Sequence, residues 1–354
     1  MMSRPLPLAL GMLMAGSAAV VMAQAQKAPP AAKAKSGWVA PGTKGSPIDG
    51  TAFHAQVLLD AAGFSPGVID GKKGSSLDQA VRGFQEARGL PTTGKLDGRT
   101  RQALLQLNRP STRMIRLTAE EVAGPFVYPF PKKPEAQAKL PSMAYRNMLE
   151  KVAERYHTTP ATIVSLNGPD KKIGLGQTLR LPNVVVAEAG DYSSAGVDGK
   201  HVMRVLNVDP NQPQGDYVVV DKSEGVLKVY SGDAEAENGK LVAAFPVTMG
   251  SSQYPLPIGT WKATTYAFLP PFNYQPDLLQ NAKTDKEVML PPGPNGPVGV
   301  AWLDLTKEHY GIHGTNEPQT IGRAESSGCI RMTNWDVLRL SQMMKPGFTA
   351  IFQA

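Results

Sequence analysis

The chain has 354 residues and a formal net charge of +7 at pH 7. At roughly 100–200 residues per domain, this length predicts two or three domains. A basic chain favours an anionic partner, and the charge suits an anionic cell wall as well as a surface kept soluble by charge. No nucleic-acid motif occurs and no basic stretch is interleaved with aromatic residues, so the sequence excludes the recognisable nucleic-acid-binding classes.

The N-terminus has the features of an export signal. Arg4 precedes an apolar stretch, and small residues lead to an A-x-A cleavage pattern at Ala23–Ala25. We therefore expect residues 1–25 to be a signal peptide, with a retained anchor as the alternative, and the protein to be exported to the periplasm or cell envelope. No cysteine lies near the cleavage pattern, which excludes a lipid anchor there.

The next segments predict a linker and a small helical domain. Residues 26–50 are rich in Ala, Pro, Lys and Gly, which is typical of a flexible linker. Residues 51–108 contain three stretches with helical spacing of apolar residues, and Ser76 with Gln79 predicts a capping box. With its Asp-Gly turns and its "AVRGFQEARGL" phrase, this segment resembles the helical peptidoglycan-binding domain of many wall hydrolases.

A Pro-rich connector is predicted over residues 109–143 and a further module over residues 144–186. Leu149, Val152 and Tyr156 have helical spacing, Thr159 is placed to cap a second helix, and "GLGQTLRLP" is typical of a turn into a strand. This order resembles a LysM module, a glycan binder, and the alternative is a structural spacer. Residues 187–214 are predicted to be another connector.

Residues 215–354 predict a mainly β domain. Two alternating apolar runs flank "SEG", which indicates a hairpin, and several further runs have strand character. One helix is predicted near the end, with Thr333 and Asp336 in its capped first turn. The fold class is therefore multidomain: an all-α domain, a small α+β module and a mainly β domain.

The single cysteine, Cys329, is the strongest chemical signal. An exported protein with one cysteine has no internal disulfide, so the thiol is inert, bridged to another molecule or reactive. Cys329 lies in the polar turn "SSGCIR", which favours a reactive thiol. His313 precedes it in a Gly-rich phrase, the backbone N–H groups of Gly328 and Cys329 suit an oxyanion hole, and Arg331 favours a thiolate.

This stretch resembles the signature of YkuD-type L,D-transpeptidases over roughly residues 215–353, which implies a YkuD-like β-sandwich with a short helix. The matching residues are His313, Gly314, Thr315, Pro318, Ile321, Gly322, Ser326, Gly328, Cys329, Ile330, Arg331 and Met332. The resemblance implies that Cys329 is the nucleophile, that His313 is its base, and that the carbonyl of Gly314 orients the base. Arg331 would support the thiolate and the substrate.

The resemblance also implies substrate contacts, with one departure from the pattern. The residues predicted to contact the substrate are Tyr310, Thr315, Ser326, Ser327 and Trp302, of which Trp302 and Tyr310 are expected in the core or the groove wall rather than as chemical participants. Many relatives have histidine where this chain has Ser327, which leaves the role of a second histidine open.

The implied reaction is acyl transfer on peptidoglycan. The thiolate would attack a stem tetrapeptide after its third residue and expel D-alanine, and an amine from a stem peptide, a D-amino acid or a wall-attached protein would resolve the acyl-enzyme. Carbapenem β-lactams would acylate the same thiol. Neither metal nor cofactor is implied. The alternatives are an L,D-carboxypeptidase or amidase that uses water, and a non-catalytic wall-binding scaffold.

Overall fold

The computed structural model describes residues 48–184, 196–236, 238–279, 282–323 and 328–354. The predicted signal peptide, most of the predicted linker, and the predicted site residues Ser326 and Ser327 lie outside these ranges. Within the described ranges, every helix is too short or too polar to cross a membrane.

Three helices form the helical unit at the start of the described chain, as the sequence predicted. They are α1 (Gly50–Ala61), α2 (Ser75–Ala87) and α3 (Gly98–Leu105). Leu59, Val81, Phe84 and Leu104 are fully buried in their shared core. Burial of this apolar stripe is what makes such short helices stable, because isolated helices of this length are marginal in water.

The predicted capping box of α2 is wrong. The residue before α2 is Gly74, which has no side chain to cap the helix. Ser76 instead donates from its hydroxyl to the carbonyl of Ile321 at 3.5 Å, and Gln79 donates to the carbonyl of Glu224 at 2.6 Å. Both acceptors belong to the β domain. The two side chains that the local pattern predicted to cap α2 therefore form tertiary hydrogen bonds instead.

The second unit spans residues 112–182 and consists of four helices, two of them a single turn long, and a two-stranded antiparallel sheet. Its elements are β1 (Thr112–Arg116), α4 (Ala119–Val122), α5 (Pro134–Gln137), α6 (Met148–Arg155), α7 (Pro160–Asn167) and β2 (Thr178–Pro182). The N-cap at Thr159 is confirmed, since its hydroxyl accepts from the N–H of Thr162. Residues 112–116 were predicted to be connector; they form a strand because they pair with β2, a partner more than sixty positions away.

The β domain contains most of the strands and two helices. They are α8 (Gly196–Val205), β3 (Tyr217–Asp221), β4 (Val226–Ser231), β5 (Lys240–Pro246), β6 (Thr248–Met249), β7 (Gly259–Phe268), β8 (Phe272–Tyr274), β9 (Val288–Leu290), β10 (Ala301–Leu305), β11 (Gly311–His313), β12 (Ile330–Arg331), α9 (Asn334–Met343) and β13 (Thr349–Gln353). The mainly β prediction and the hairpin are confirmed. Residues 196–205 were predicted to be connector; they are helical because Met203 and Val202 are buried in the domain core.

Among the described residues, nine strands form one sheet in the order β5-β4-β3-β13-β7-β10-β11-β12-β6. The long strand β7 links its two halves, because Gly259–Lys262 pair with β13 and Ala263–Phe268 pair with β10. Side chains from both halves pack in one core with α9, which begins at the predicted cap, Thr333. The short strands β11 and β12 lie beside the start of α9, and this corner of the sheet carries the site.

Both accessory units pack against the β domain. The helix α2 lies on β5, where Gly83 allows close approach to Ala244, since a Cβ on this glycine would lie 2.9 Å from the alanine side chain. A buried polar cluster joins the units behind α9: Arg339 and His157 both contact the carboxylate of Asp60, at 3.1 and 3.2 Å. The described part of the chain from Ile48 onwards is therefore held together by polar as well as apolar contacts.

Candidate active site

Strand pairing brings the sequence-predicted catalytic residues to one place. His313 ends β11, where it pairs with Trp302 of antiparallel β10 on one side and with Arg331 of parallel β12 on the other. Cys329 directly precedes β12, so the sheet places it next to the start of β11. Three residues that the motif joined in sequence are thus joined in space.

These side chains line a groove of about 350 Å³, which we call the Cys329 groove. Its far wall comes from the proline-rich segment around the β8–β9 hairpin, which the sequence analysis did not assign to the site. The lining residues are Pro270, Pro271, Phe272, Asn273, Gln275, Leu278, Leu279, Pro297, Val298, Trp302, His309, His313, Cys329 and Arg331. A mostly apolar wall beside a few polar groups is typical of a small-molecule or peptide site.

The His313 ring is held at its edge and at its face. Its Nδ1 lies 2.7 Å from the carbonyl oxygen of Gly314, and its ring stacks on Trp302 with centroids 5.3 Å apart. A carbonyl oxygen only accepts, so Nδ1 carries the proton of the neutral ring and Nε2 keeps a free lone pair. Burial, followed by the positive charge of Arg331, lowers the pKa of His313 to about 3. The imidazole is therefore a neutral base at physiological pH.

A side chain that the sequence analysis missed supports this histidine from behind. The Oδ1 of Asn334 accepts from the N–H groups of Val300 at 3.2 Å and Thr315 at 3.1 Å. Gly314 lies against the same oxygen, and a Cβ at that position would be only 2.3 Å from it. Asn334 therefore packs against the peptide whose carbonyl orients His313, which the motif gave no means of finding.

Cys329 is half-buried, and backbone groups surround its sulfur. The thiol lies 3.6 Å from the carbonyl of His309, to which it donates. Burial raises the pKa of Cys329, while a hydrogen bond from the Gly311 backbone and the charge of Arg331 act in the opposite direction. Burial has the larger effect, so at rest the groove holds a neutral thiol and a neutral imidazole, although the charge of Arg331 acts in favour of the thiolate, the direction that the sequence predicted.

The other predicted site residues fall into three groups. Trp302 lines the groove, as expected of a wall residue, and Tyr310 packs beside Gly328, where a Cβ would lie 2.7 Å from its ring. Thr315 is buried behind the groove, and its hydroxyl accepts from the N–H of Glu317. Ser326 and Ser327 lie outside the described residues.

Gly328 has a positive φ of 105°, a conformation that strongly favours glycine. This conformation orients the turn that presents Cys329. Among the described residues, no group of three or more His, Cys, Asp and Glu side chains is arranged to hold a metal ion.

Two family models match this chain. Residues 215–352 match the model described as "L,D-transpeptidase catalytic domain", YkuD, and residues 53–104 match "Putative peptidoglycan binding domain". Residues 215–352 are therefore similar to L,D-transpeptidase catalytic domains, and residues 53–104 are similar to peptidoglycan-binding domains. The second unit, which was predicted to resemble LysM, is covered by neither match.

Similar proteins carry the same family name. "Putative L,D-transpeptidase YkuD" of Bacillus licheniformis is 59% identical over 56 residues, which are 16% of this chain and 34% of that protein. "Putative L,D-transpeptidase YqjB" of Bacillus subtilis is 28% identical over 38% of this chain and 69% of that protein. The chain thus spans about a third of the length of the first of these curated relatives. The crystal structure of an L,D-transpeptidase from Xylanimonas cellulosilytica is 14% identical, with a TM-score of 0.35, over 92% of this chain and 100% of that one.

Proposed function

We propose that this protein is an L,D-transpeptidase that acts on peptidoglycan stem peptides through an acyl-enzyme on Cys329. The observation that carries the proposal is the shared groove of Cys329, His313 and Arg331 within a domain that matches the L,D-transpeptidase catalytic family. A thiol, a neutral base and a cation in one partly apolar groove are the groups that acyl transfer requires.

The chemistry follows from the resting protonation states. His313 Nε2 takes the proton of the thiol as the sulfur attacks the carbonyl carbon of the donor, and the ring is then an imidazolium. The tetrahedral intermediate collapses by expelling the terminal amine, which takes that proton from His313, and a thioester on Cys329 remains. An incoming amine next loses its proton to His313 and forms the new amide, which releases the thiol. Backbone N–H groups of Gly328 and Cys329 are the proposed donors to the oxyanion.

We assign the acceptor as an amine, with water as the alternative. The apolar wall of the Cys329 groove, including Phe272 and Leu278, shields the thioester from bulk water while leaving room for a peptide. Nothing in the Cys329–His313 pair itself selects an amine over water, so the choice of acceptor has to be measured.

The test uses the full chain with a disaccharide tetrapeptide and an excess of a D-amino acid. Transfer predicts exchange of the terminal D-alanine or cross-linked dimers, detected by mass spectrometry. Accumulation of tripeptide and free D-alanine alone would identify a carboxypeptidase.

A carbapenem should add one covalent adduct to the wild-type protein and none to Cys329→Ala, because its strained carbonyl mimics the donor. A wild-type protein without adduct or product would be a scaffold.

We propose that the second unit is a LysM-like glycan-binding module. The support is that its first and last elements, β1 and β2, pair antiparallel and enclose four helices, of which α6 and α7 are the longest. Together with the peptidoglycan-binding domain it would hold the enzyme on the exported cell wall and raise the local concentration of stems. The test replaces the exposed residues Arg116 and Arg180 and measures whether the protein still sediments with purified glycan strands. Loss of sedimentation would support the glycan-binding proposal, whereas unchanged binding would contradict it.

A further inference from the structure

The amide of Asn334 faces a carboxyl group that comes from the second unit. Its Nδ2 donates to the two oxygens of Glu154 at 3.3 and 3.1 Å and to the carbonyl of Pro294 at 3.3 Å. Glu154 lies in α6 and is only 6% exposed, and the hydroxyl of Tyr145 donates to it at 3.2 Å. Glu154 therefore lies outside the catalytic domain, and the side chain of Asn334 alone separates it from the backbone that holds His313.

Burial raises the pKa of Glu154 to about 8, so the group is mostly a neutral acid at physiological pH. A neutral group exerts little electrostatic effect on His313. Its influence on the site is therefore geometric, through the hydrogen bond to Asn334.

An asparagine side chain has two ends of nearly the same shape, one accepting and one donating. The orientation of the Asn334 amide matters, because Val300 and Thr315 both present N–H groups and need its oxygen. Glu154 and Pro294 present acceptors to the opposite end and so require its NH₂ group. A reversed amide would leave buried donors facing donors, at a cost comparable to several lost hydrogen bonds.

We infer that Glu154 and Asn334 are positioning residues of the active site, and that the second unit thereby completes it. Glu154 fixes which way the Asn334 amide faces. Asn334 holds the peptide between Gly314 and Thr315 through the N–H of Thr315, and the carbonyl of that same peptide fixes the ring of His313. The consequence for turnover rests on the proposed transpeptidase function, whereas the consequence for the His313 ring does not.

The test exchanges donor and acceptor between the two residues. Asn334→Asp keeps an oxygen for Val300 and Thr315 but turns an acceptor towards the carbonyl of Pro294, which cannot donate, and a displacement of the base of this kind lowers kcat by about tenfold to about a hundredfold. Glu154→Gln alone is expected to change kcat little, because its amide oxygen still accepts. The double variant Asn334→Asp with Glu154→Gln should recover part of the lost kcat, because the glutamine NH₂ group offers the new carboxylate two N–H donors, whereas the neutral acid of Glu154 offers a single O–H. KM should stay within about twofold throughout, since neither residue lines the groove.

The second readout is the Nδ1–H proton signal of His313 in the NMR spectrum, which reports its hydrogen bond to Gly314 without any substrate. It should shift in Asn334→Asp and return in the double variant. The matched control is Glu121→Gln. Glu121 is another buried carboxyl of the second unit that accepts from a tyrosine hydroxyl, Tyr156, but it does not contact Asn334.

Equal effects of Glu121→Gln and Asn334→Asp on the His313 signal would overturn the inference, because general loosening of the second unit would then explain both. A double variant that recovers neither the signal nor kcat would overturn it as well. A wild-type protein without turnover on the tetrapeptide would instead refute the proposed function, and the His313 signal would still decide the positioning role.

Discussion

The proposed base, His313, and the proposed nucleophile, Cys329, are held in very different ways. His313 is 4% exposed, and segments from β10, the turn after β11, and the start of α9 fix its ring at the face and edge. Cys329 is half-buried in a single turn, and the contacts of its sulfur include the backbone at His309 and Gly311. The tertiary structure thus fixes the proposed base, while a local turn presents the proposed nucleophile and leaves its thiol half-exposed in the groove.

The largest expected effect comes from removing the nucleophile. Cys329→Ala should reduce acyl transfer below detection, because no bond to the acyl group can form. The melting temperature should change little, since the removed sulfur is half-buried in a surface turn. Thermal unfolding and product formation measured on the same preparation test both statements, and normal turnover in the variant would end the acyl-enzyme proposal.

Removing the base should cost about 10²–10⁴-fold in kcat, the typical contribution of general base catalysis. His313→Ala is the variant, and steady-state kinetics with the tetrapeptide donor is the measurement. The matched control is His309→Ala. His309 also lines the groove, but it contacts the thiol through its backbone carbonyl, and its side chain is 58% exposed. Equal losses in the two variants would mean that groove shape, rather than base catalysis, explains the effect.

The sequence predicts the surroundings of Cys329 better than the contacts that support His313. Gly328, Cys329 and Arg331 lie within four consecutive positions, so a short motif was enough to place them together. The support of His313 was missed because Asn334 and Glu154 lie 180 positions apart, and neither has a local signal for their contact.

The elements follow the same rule. Strands with strong alternation, such as β3 and β4, and the capped helix α9 were predicted, because their patterns are local. Strand β1 and the groove wall around Pro270 and Phe272 were missed, because only distant pairing and the folded sheet give those residues their places.

The pH dependence of kcat/KM tests whether the His313 imidazole and the Cys329 thiol are both neutral before the substrate binds. The pKa of His313 is lowered to about 3, so the imidazole remains an available base until the pH approaches 3. The pKa of Cys329 is raised, so the thiol stays protonated through neutral pH. We therefore expect kcat/KM to vary less than about threefold between pH 5 and pH 7.5, with no acid limb near the usual histidine pKa of about 6.5.

The control for the pH profile is the stability of the fold at each pH, because the lowered pKa of His313 also makes the free energy of unfolding depend on pH. The unfolded chain binds a proton at His313 below about pH 6.5, whereas the folded chain excludes it until about pH 3, so acid favours unfolding across this window. Circular dichroism at each pH separates lost fold from lost catalysis. A clear acid limb near pH 6.5 in a folded sample would show that the resting pair is not neutral.

The smallest effect is expected at Ser327, which precedes Cys329 by two positions in the sequence. The resembled family often has histidine here, but His313 is already held as the base by Gly314 and Trp302, so a second imidazole has no proton left to move. Ser327→Ala should lower kcat by less than about tenfold, below the range expected for loss of a base. Ser327→His, which restores the residue of the family pattern, should change kcat no more than that. Both variants are to be compared with His313→Ala in one assay. A loss in Ser327→Ala that equals the loss in His313→Ala would give position 327 a chemical role, and the contrast between a prepared base and a merely presented nucleophile would then fail.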